Sequence, residues 1–180
     1  MSITPEDKLR ELIQEFNTAM LVTRVGANKL HGRPMQVAEI ESDGTLWFIS
    51  GRHSGKMQEI SEDKHVSVTM QSATKFVSLS GKASPVEDRE RVARMWKPEW
   101  EVWFPAGKVD PEIVLLRVDV KSGEYWDNSG ASGLKYLIEA GKALLTDTTP
   151  VLEDDPKIHG LVNTKSKTGA SEEKKAVKIE

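Results

Sequence analysis

A run of short β-branched and aromatic stretches, punctuated by turn residues, constrains this chain most. Met20-Leu21-Val22-Thr23-Arg24-Val25, Arg33 to Ile40, Thr45 to Ser50, His65 to Met70, Phe76 to Ala83, and Ile113 to Val120 continuing past Gly123 to Tyr125-Trp126 read as six strands. Gly26-Ala27-Asn28 and Ser42-Asp43-Gly44 supply turns, the second a hairpin signal. Two helical patterns interrupt the run. One covers about 55–62 behind Ser54, a good N-cap; the other runs from Glu87 to Trp96 and stops at Pro98. Six strands with a helix after the third and another after the fifth point to an antiparallel barrel or sandwich, not to a βαβ sheet. A dinucleotide fold also lacks its G-x-G-x-x-G strand-to-helix turn.

At the front, Thr4-Pro5-Glu6-Asp7 combines an N-cap, a proline at the first helical position and acids in the first turn. With Leu9, Leu12, Ile13 and Phe16 at helical spacing, it predicts a helix over 5–17. A further helix is expected over 132–146, and beyond Pro150 the patterning fails. From Ser166 to Glu180 the chain is almost all Lys, Glu, Ser, Thr, Gly and Ala, too polar to offset its ordering entropy. The expected organisation is one domain over 1–148 and an extension over 149–180 ending in a disordered tail. No window approaches the apolar length of a membrane-spanning helix, and the opening residues lack the order of a secretory signal, so a cytoplasmic protein is expected. A net charge of −3 and a pI near 5.9 make duplex nucleic acid a poor partner.

With no cysteine, thiolate metal sites and cysteine nucleophiles are excluded. His31, His53, His65 and His159 show no metal-ligand spacing, so no metal site is expected, and no G-x-S-x-G elbow supports hydrolysis. Ser50-Gly51-Arg52-His53-Ser54-Gly55-Lys56 is the most informative stretch. Backbone N–H groups at a helix start, a hydroxyl cap and two cations make an anion site, although the spacing is not that of a Walker loop. It reads either as a phosphate cradle or as a polar turn before a well-capped helix. Arg33, on the strand before, would reach the same end. Four of the five tryptophans, Trp96, Trp100, Trp103 and Trp126, also cluster. The first three fall at i, i+4 and i+7, either as core or as a lid over a planar ligand.

His31-Gly32-Arg33-Pro34-Met35, Leu46-Trp47-Phe48-Ile49-Ser50 and Ser54-Gly55-Lys56 together resemble the flavin-binding core of the pyridoxamine 5′-phosphate oxidase-like split barrels. Trp103-Phe104-Pro105-Ala106-Gly107, Asp110-Pro111 and Tyr125-Trp126-Asp127 resemble its bacterial general stress branch. The resemblance covers about residues 5–146. It implies a six-stranded antiparallel split β-barrel with flanking helices, a homodimer, and one FMN in each of two clefts at the subunit interface. It would put Arg33 and Lys56 on the FMN phosphate, with Ser54 adding a hydroxyl. Pro34, Met35, Gln36 and Val37 would run along the isoalloxazine, Ile49 and Ser50 would supply ligands from the next strand, and Trp126 would come from the other subunit.

The sequence departs from the oxidases in two places. Where they follow the tryptophan strand with an Arg-x-His substrate clamp, this chain continues Asp127-Asn128-Ser129-Gly130; where they carry a glutamine early in the fifth strand, it has Lys75-Phe76. The expected function is therefore an FMN-binding general stress protein, with three roles open: flavin-dependent oxidoreductase, non-catalytic FMN binder or sensor, and, disfavoured by the missing clamp, vitamin B6 oxidase. The catalytic residues and the substrate are not legible.

Overall fold

The computed structural model of the chain describes residues 3–130 and 156–163. The expected helix over 132–146, the tail from Ser166 and the domain boundary near 148 lie outside them. In chain order the elements are α1 (Pro5–Ile13), β1 (Thr18–Val25), β2 (Lys29–Ile40), β3 (Leu46–Gly51), α2 (Gly55–Glu62), β4 (His65–Gln71), β5 (Lys75–Val86), α3 (Arg89–Met95), β6 (Ile113–Asp127) and β7 (His159–Asn163). Two 3-10 turns, Pro98–Val102 and Gly107–Val109, stand between α3 and β6.

All strand pairs are antiparallel, in the order β3-β2-β1-β4-β5-β6-β7. The first half of β6 returns to β3, pairing Leu46 with Val118 and Gly51 with Ile113, which closes β1 to β6 into a barrel. Closure removes the unpaired edges an open sheet would expose. β6 can serve both neighbours because it is the longest strand and bends at a bulge opposite Ser80 and Gly81. A Cβ on Gly81 would collide with the Asp119 backbone, so the bulge requires glycine. The Ser42-Asp43-Gly44 signal makes the β2–β3 hairpin: Gly44 adopts φ +88, and its N–H donates to the Glu41 carbonyl at 2.9 Å.

The barrel interior holds Leu21, Met35, Val37, Phe48, Val68, Leu79, Leu116 and Tyr125, with α1 plugging one end through Leu9, Leu12 and Ile13. A second core sits outside the barrel. There Trp47, Ile113 and Leu115 pack against Val92 and Met95 of α3, and against Trp100 and Phe104. β3 is thus buried on both faces, which explains why Leu46-Trp47-Phe48 has no alternation. Arg91 lies over the Trp47 ring at 4.1 Å and pairs with Glu39 and Glu41, tying α3 to the hairpin.

Three expectations differ from the structure. α1 ends at Ile13 rather than 17, because Asn17 already accepts the Val37 N–H and starts the sheet. Trp96, Trp100 and Trp103 do not share one helix; α3 stops at Met95, and Pro98 opens a separate 3-10 turn. Beyond Pro150, where no element was expected, β7 pairs with the second half of β6 from Trp126↔His159 to Ser122↔Asn163.

Candidate functional site

The end of β3, the middle of β2 and the start of α2 converge on a cleft of about 390 Å³. Its walls are Pro34, Met35 and Gln36 from β2, Ile49, Ser50 and Gly51 from β3, Lys56 from α2, and Trp100, Trp103 and Phe104 from the segment after α3. The positioning follows from the sequence: β3 runs out at Gly51, Ser54 stands at the N-cap position of α2 in an extended conformation but without a side-chain capping hydrogen bond, and the first turn of α2 faces the strand ends. Ser50 Oγ and Ser54 Oγ share a hydrogen bond of 3.2 Å, which fixes the turn between them.

Lys56 is the one titratable side chain on these walls. It is half-buried, and among the described residues no carboxylate forms an ion pair with it. Burial pulls its pKa below that of an ordinary lysine; nearby Arg33 pulls the same way, and Glu59 opposes them. A half-buried cation with no carboxylate partner among the described residues creates a demand for an anion. Arg52 and His53, the other basic residues of the stretch, are turned away: Arg52 pairs with Glu87 at 2.5 Å and His53 with Glu112 at 2.7 Å.

Arg33 stands behind Lys56 in a buried network. Its Nη1 donates to Thr23 Oγ1 and its Nη2 to Glu59 Oε2, both at 2.5 Å. Thr23 donates to Glu59 at 2.5 Å, and His31 Nδ1 to Glu59 Oε1 at 2.9 Å. Burial pushes the Glu59 carboxyl up, but the hydrogen bonds from Thr23, His31 and Arg33 outweigh it and hold the pKa at about 2. Sequence reasoning missed Glu59 and Thr23. The available signal was spacing, since Glu59 lies three residues after Lys56 on α2 and so beside it on the same face.

Of the ten residues expected at the site, Pro34, Met35, Gln36, Ile49, Ser50 and Lys56 line the cleft together. Arg33 and Ser54 sit just behind its wall, in contact with Glu59 and Ser50. Val37 points into the barrel core. Trp126 is apart from the rest, toward the far end of β6 and beside Phe76 across the strand pair, with its ring stacked on His159 at 5.5 Å. A histidine therefore does reach this tryptophan, delivered by β7 and paired with Glu124 at 2.9 Å. The tryptophan segment divides: Trp100 is 4% exposed and packs edge-on against Trp96, whereas Trp103 is 68% exposed at the cleft mouth.

Comparison with known proteins bears on this arrangement. Residues 4–151 match the family described as pyridoxamine 5′-phosphate oxidase like. The chain belongs to that family. Among curated proteins, protein bli-3 of Neurospora crassa is 30% identical over 119 residues, 59% of this chain and 57% of that protein, so the match spans less than two thirds of the relative. Among solved structures, the general stress FMN/FAD binding protein of Xanthomonas citri superposes with a TM-score of 0.60 at 28% identity, covering 70% of this chain and 90% of that one. A Jannaschia sp. CCS1 protein assigned as general stress protein 26 shares the fold, with a TM-score of 0.65 at 24% identity over 87% of this chain and 96% of its own. Within the described residues no helix is long and apolar enough to cross a membrane.

Proposed function

We propose that the cleft binds FMN and that the protein acts as a cytoplasmic, homodimeric, flavin-binding general stress protein. The observation that carries this reading is Lys56: a half-buried cation with no carboxylate partner among the described residues, beside Arg33, at one end of a cleft whose remaining walls are mostly apolar and aromatic. That is the donor set a phosphate-bearing planar ligand needs, with charge at one end and flat apolar surface along the ring. Ser50, Ser54 and the first-turn N–H groups of α2 add neutral donors at the charged end.

Bound flavin would supply electron-transfer chemistry. The chain's own part is to bind and orient it, since Lys56 alone among the lining residues is titratable. An oxidoreductase role and a binding or sensing role share this site. Reduction of bound FMN by NADH or NADPH with turnover on an acceptor would decide for the first. The dimer is supported by the placement of Trp126, too far along β6 to reach its own cleft wall, and by the exposed apolar side chains of Met20, Phe76 and Leu161.

Titration with FMN and riboflavin, followed by tryptophan fluorescence, tests the reading. FMN should bind far more tightly than riboflavin, and Lys56→Ala should remove most of that preference while leaving riboflavin affinity unchanged. Equal affinity of the wild-type protein for both flavins would count against the phosphate assignment.

A further inference from the structure

The tryptophan segment holds a hydrogen bond that the flavin reading leaves without a role. Trp100 is buried in the outer core, and its indole Nε1–H donates to Gln36 Oε1 at 2.5 Å. An indole nitrogen donates and never accepts, so the bond fixes which end of the carboxamide faces Trp100. The Gln36 oxygen must point to the indole, and its Nε2 group must point away. Gln36 lines the cleft together with its neighbours Pro34 and Met35 and with Trp103 and Phe104. Its amide nitrogen has no hydrogen-bond partner among the described residues. The cleft therefore presents a donor pair of fixed polarity on an otherwise apolar stretch of wall, well apart in character from the cationic end at Lys56.

We propose that Gln36, held by Trp100, is a specificity-determining residue: it selects planar ligands that offer a hydrogen-bond acceptor, a carbonyl oxygen or an unprotonated ring nitrogen, at the edge facing β2. This rests on the flavin reading above and deepens it, because an isoalloxazine carries such acceptors along its edge. Trp100 acts through Gln36 and is a positioning residue. Without the indole N–H the carboxamide is free to turn, and the wall loses its defined polarity. The buried indole needed some acceptor; taking a cleft side chain rather than a backbone carbonyl couples the outer core to ligand choice.

The test is a titration of the full chain with FMN and with riboflavin, comparing wild type, Gln36→Glu, Gln36→Leu and Trp100→Phe. In Gln36→Glu one oxygen still accepts from Trp100 while the other turns an acceptor toward the ligand, and affinity should fall at least about tenfold. Gln36→Leu removes the donors without adding charge and should cost about fivefold in affinity, with a modest fall in thermal stability because the buried Trp100 N–H loses its acceptor. Trp100→Phe should also weaken binding. In the neutral variants Gln36→Leu and Trp100→Phe, FMN and riboflavin should lose the same factor, since the contact is to the ring, whereas Gln36→Glu, which also adds negative charge to the cleft that holds Lys56, should weaken both flavins and FMN the more; Lys56→Ala, by contrast, should affect FMN alone. Wild-type FMN affinity in Gln36→Glu and Gln36→Leu would overturn the proposal, as would a loss confined to FMN. A wild-type protein that binds neither flavin would instead overturn the flavin reading itself, and the proposal with it.

Discussion

Replacing Glu59 with glutamine probes the network behind the cleft in a way that pH can isolate. Glu59 is held at a pKa of about 2 against an ordinary 4.5, and its side chain is 14% exposed. Because the folded value lies below the unfolded one, its stabilisation is fully present above about pH 4.5 and is lost as pH falls toward 2. A tenfold change in proton affinity corresponds to about 1.4 kcal/mol, so a depression of this size is worth about 3 kcal/mol; the partial contact of the carboxylate with water reduces that to about 2 kcal/mol. Urea unfolding of wild type and Glu59→Gln should therefore differ by about 2 kcal/mol at pH 7, with the difference shrinking steadily below pH 4.5. Asp43, Asp63, Glu87 and Asp127 are also depressed and tilt the curve of each protein, but they are common to both and cancel in the difference. A difference that stayed constant from pH 7 to pH 3 would refute the reasoning, because the loss would then come from packing rather than from the carboxylate charge.

Other substitutions separate the roles of neighbouring residues. Trp100→Ala, in the outer core, should cost about 3–5 kcal/mol in chemical denaturation, whereas Trp103→Ala, exposed at the cleft mouth, should change stability by less than about 0.5 kcal/mol while weakening flavin binding; a large stability loss in Trp103→Ala would return this residue to the core. Gly160→Ala would place a Cβ 2.5 Å from the Tyr125 hydroxyl and 2.7 Å from the ring. Tyr125 is fully buried and its hydroxyl donates to the Pro156 carbonyl, so it cannot yield. The thermal midpoint should drop by about 4 °C, with faster proteolysis after Asp127, and an unchanged midpoint would show that β7 contributes nothing to the fold.

The barrel was legible because its strands are written in local terms: β-branched runs, turn glycines, and in Ser42-Asp43-Gly44 a hairpin that forms as expected. β7 was not, because Gly160-Leu161-Val162 is too short and too flanked by polar residues to announce itself; it is a strand only because β6 extends past the barrel and offers it an edge. The cationic end of the cleft was legible through Lys56, Ser50 and Ser54, which a strand-to-helix junction necessarily brings together. What stayed hidden were pairings between distant segments. Nothing local shows that Arg52 and His53 are drawn off by Glu87 and Glu112, that Glu59 grips Arg33, or that Trp100 donates to Gln36. The helical spacing of Trp96, Trp100 and Trp103 misled because α3 stops at Met95 and Pro98 opens a separate 3-10 turn, after which Trp100 is buried in the outer core and Trp103 is exposed at the cleft mouth.

The absorption spectrum of the purified full-length protein, taken as isolated and again after heat release of any bound chromophore, tests the central claim most directly. A protein that holds FMN in this cleft shows the two visible bands of an oxidised flavin, with the released species migrating as FMN and rebinding to restore quenched tryptophan emission. A colourless protein whose tryptophan emission does not respond to added FMN would contradict it.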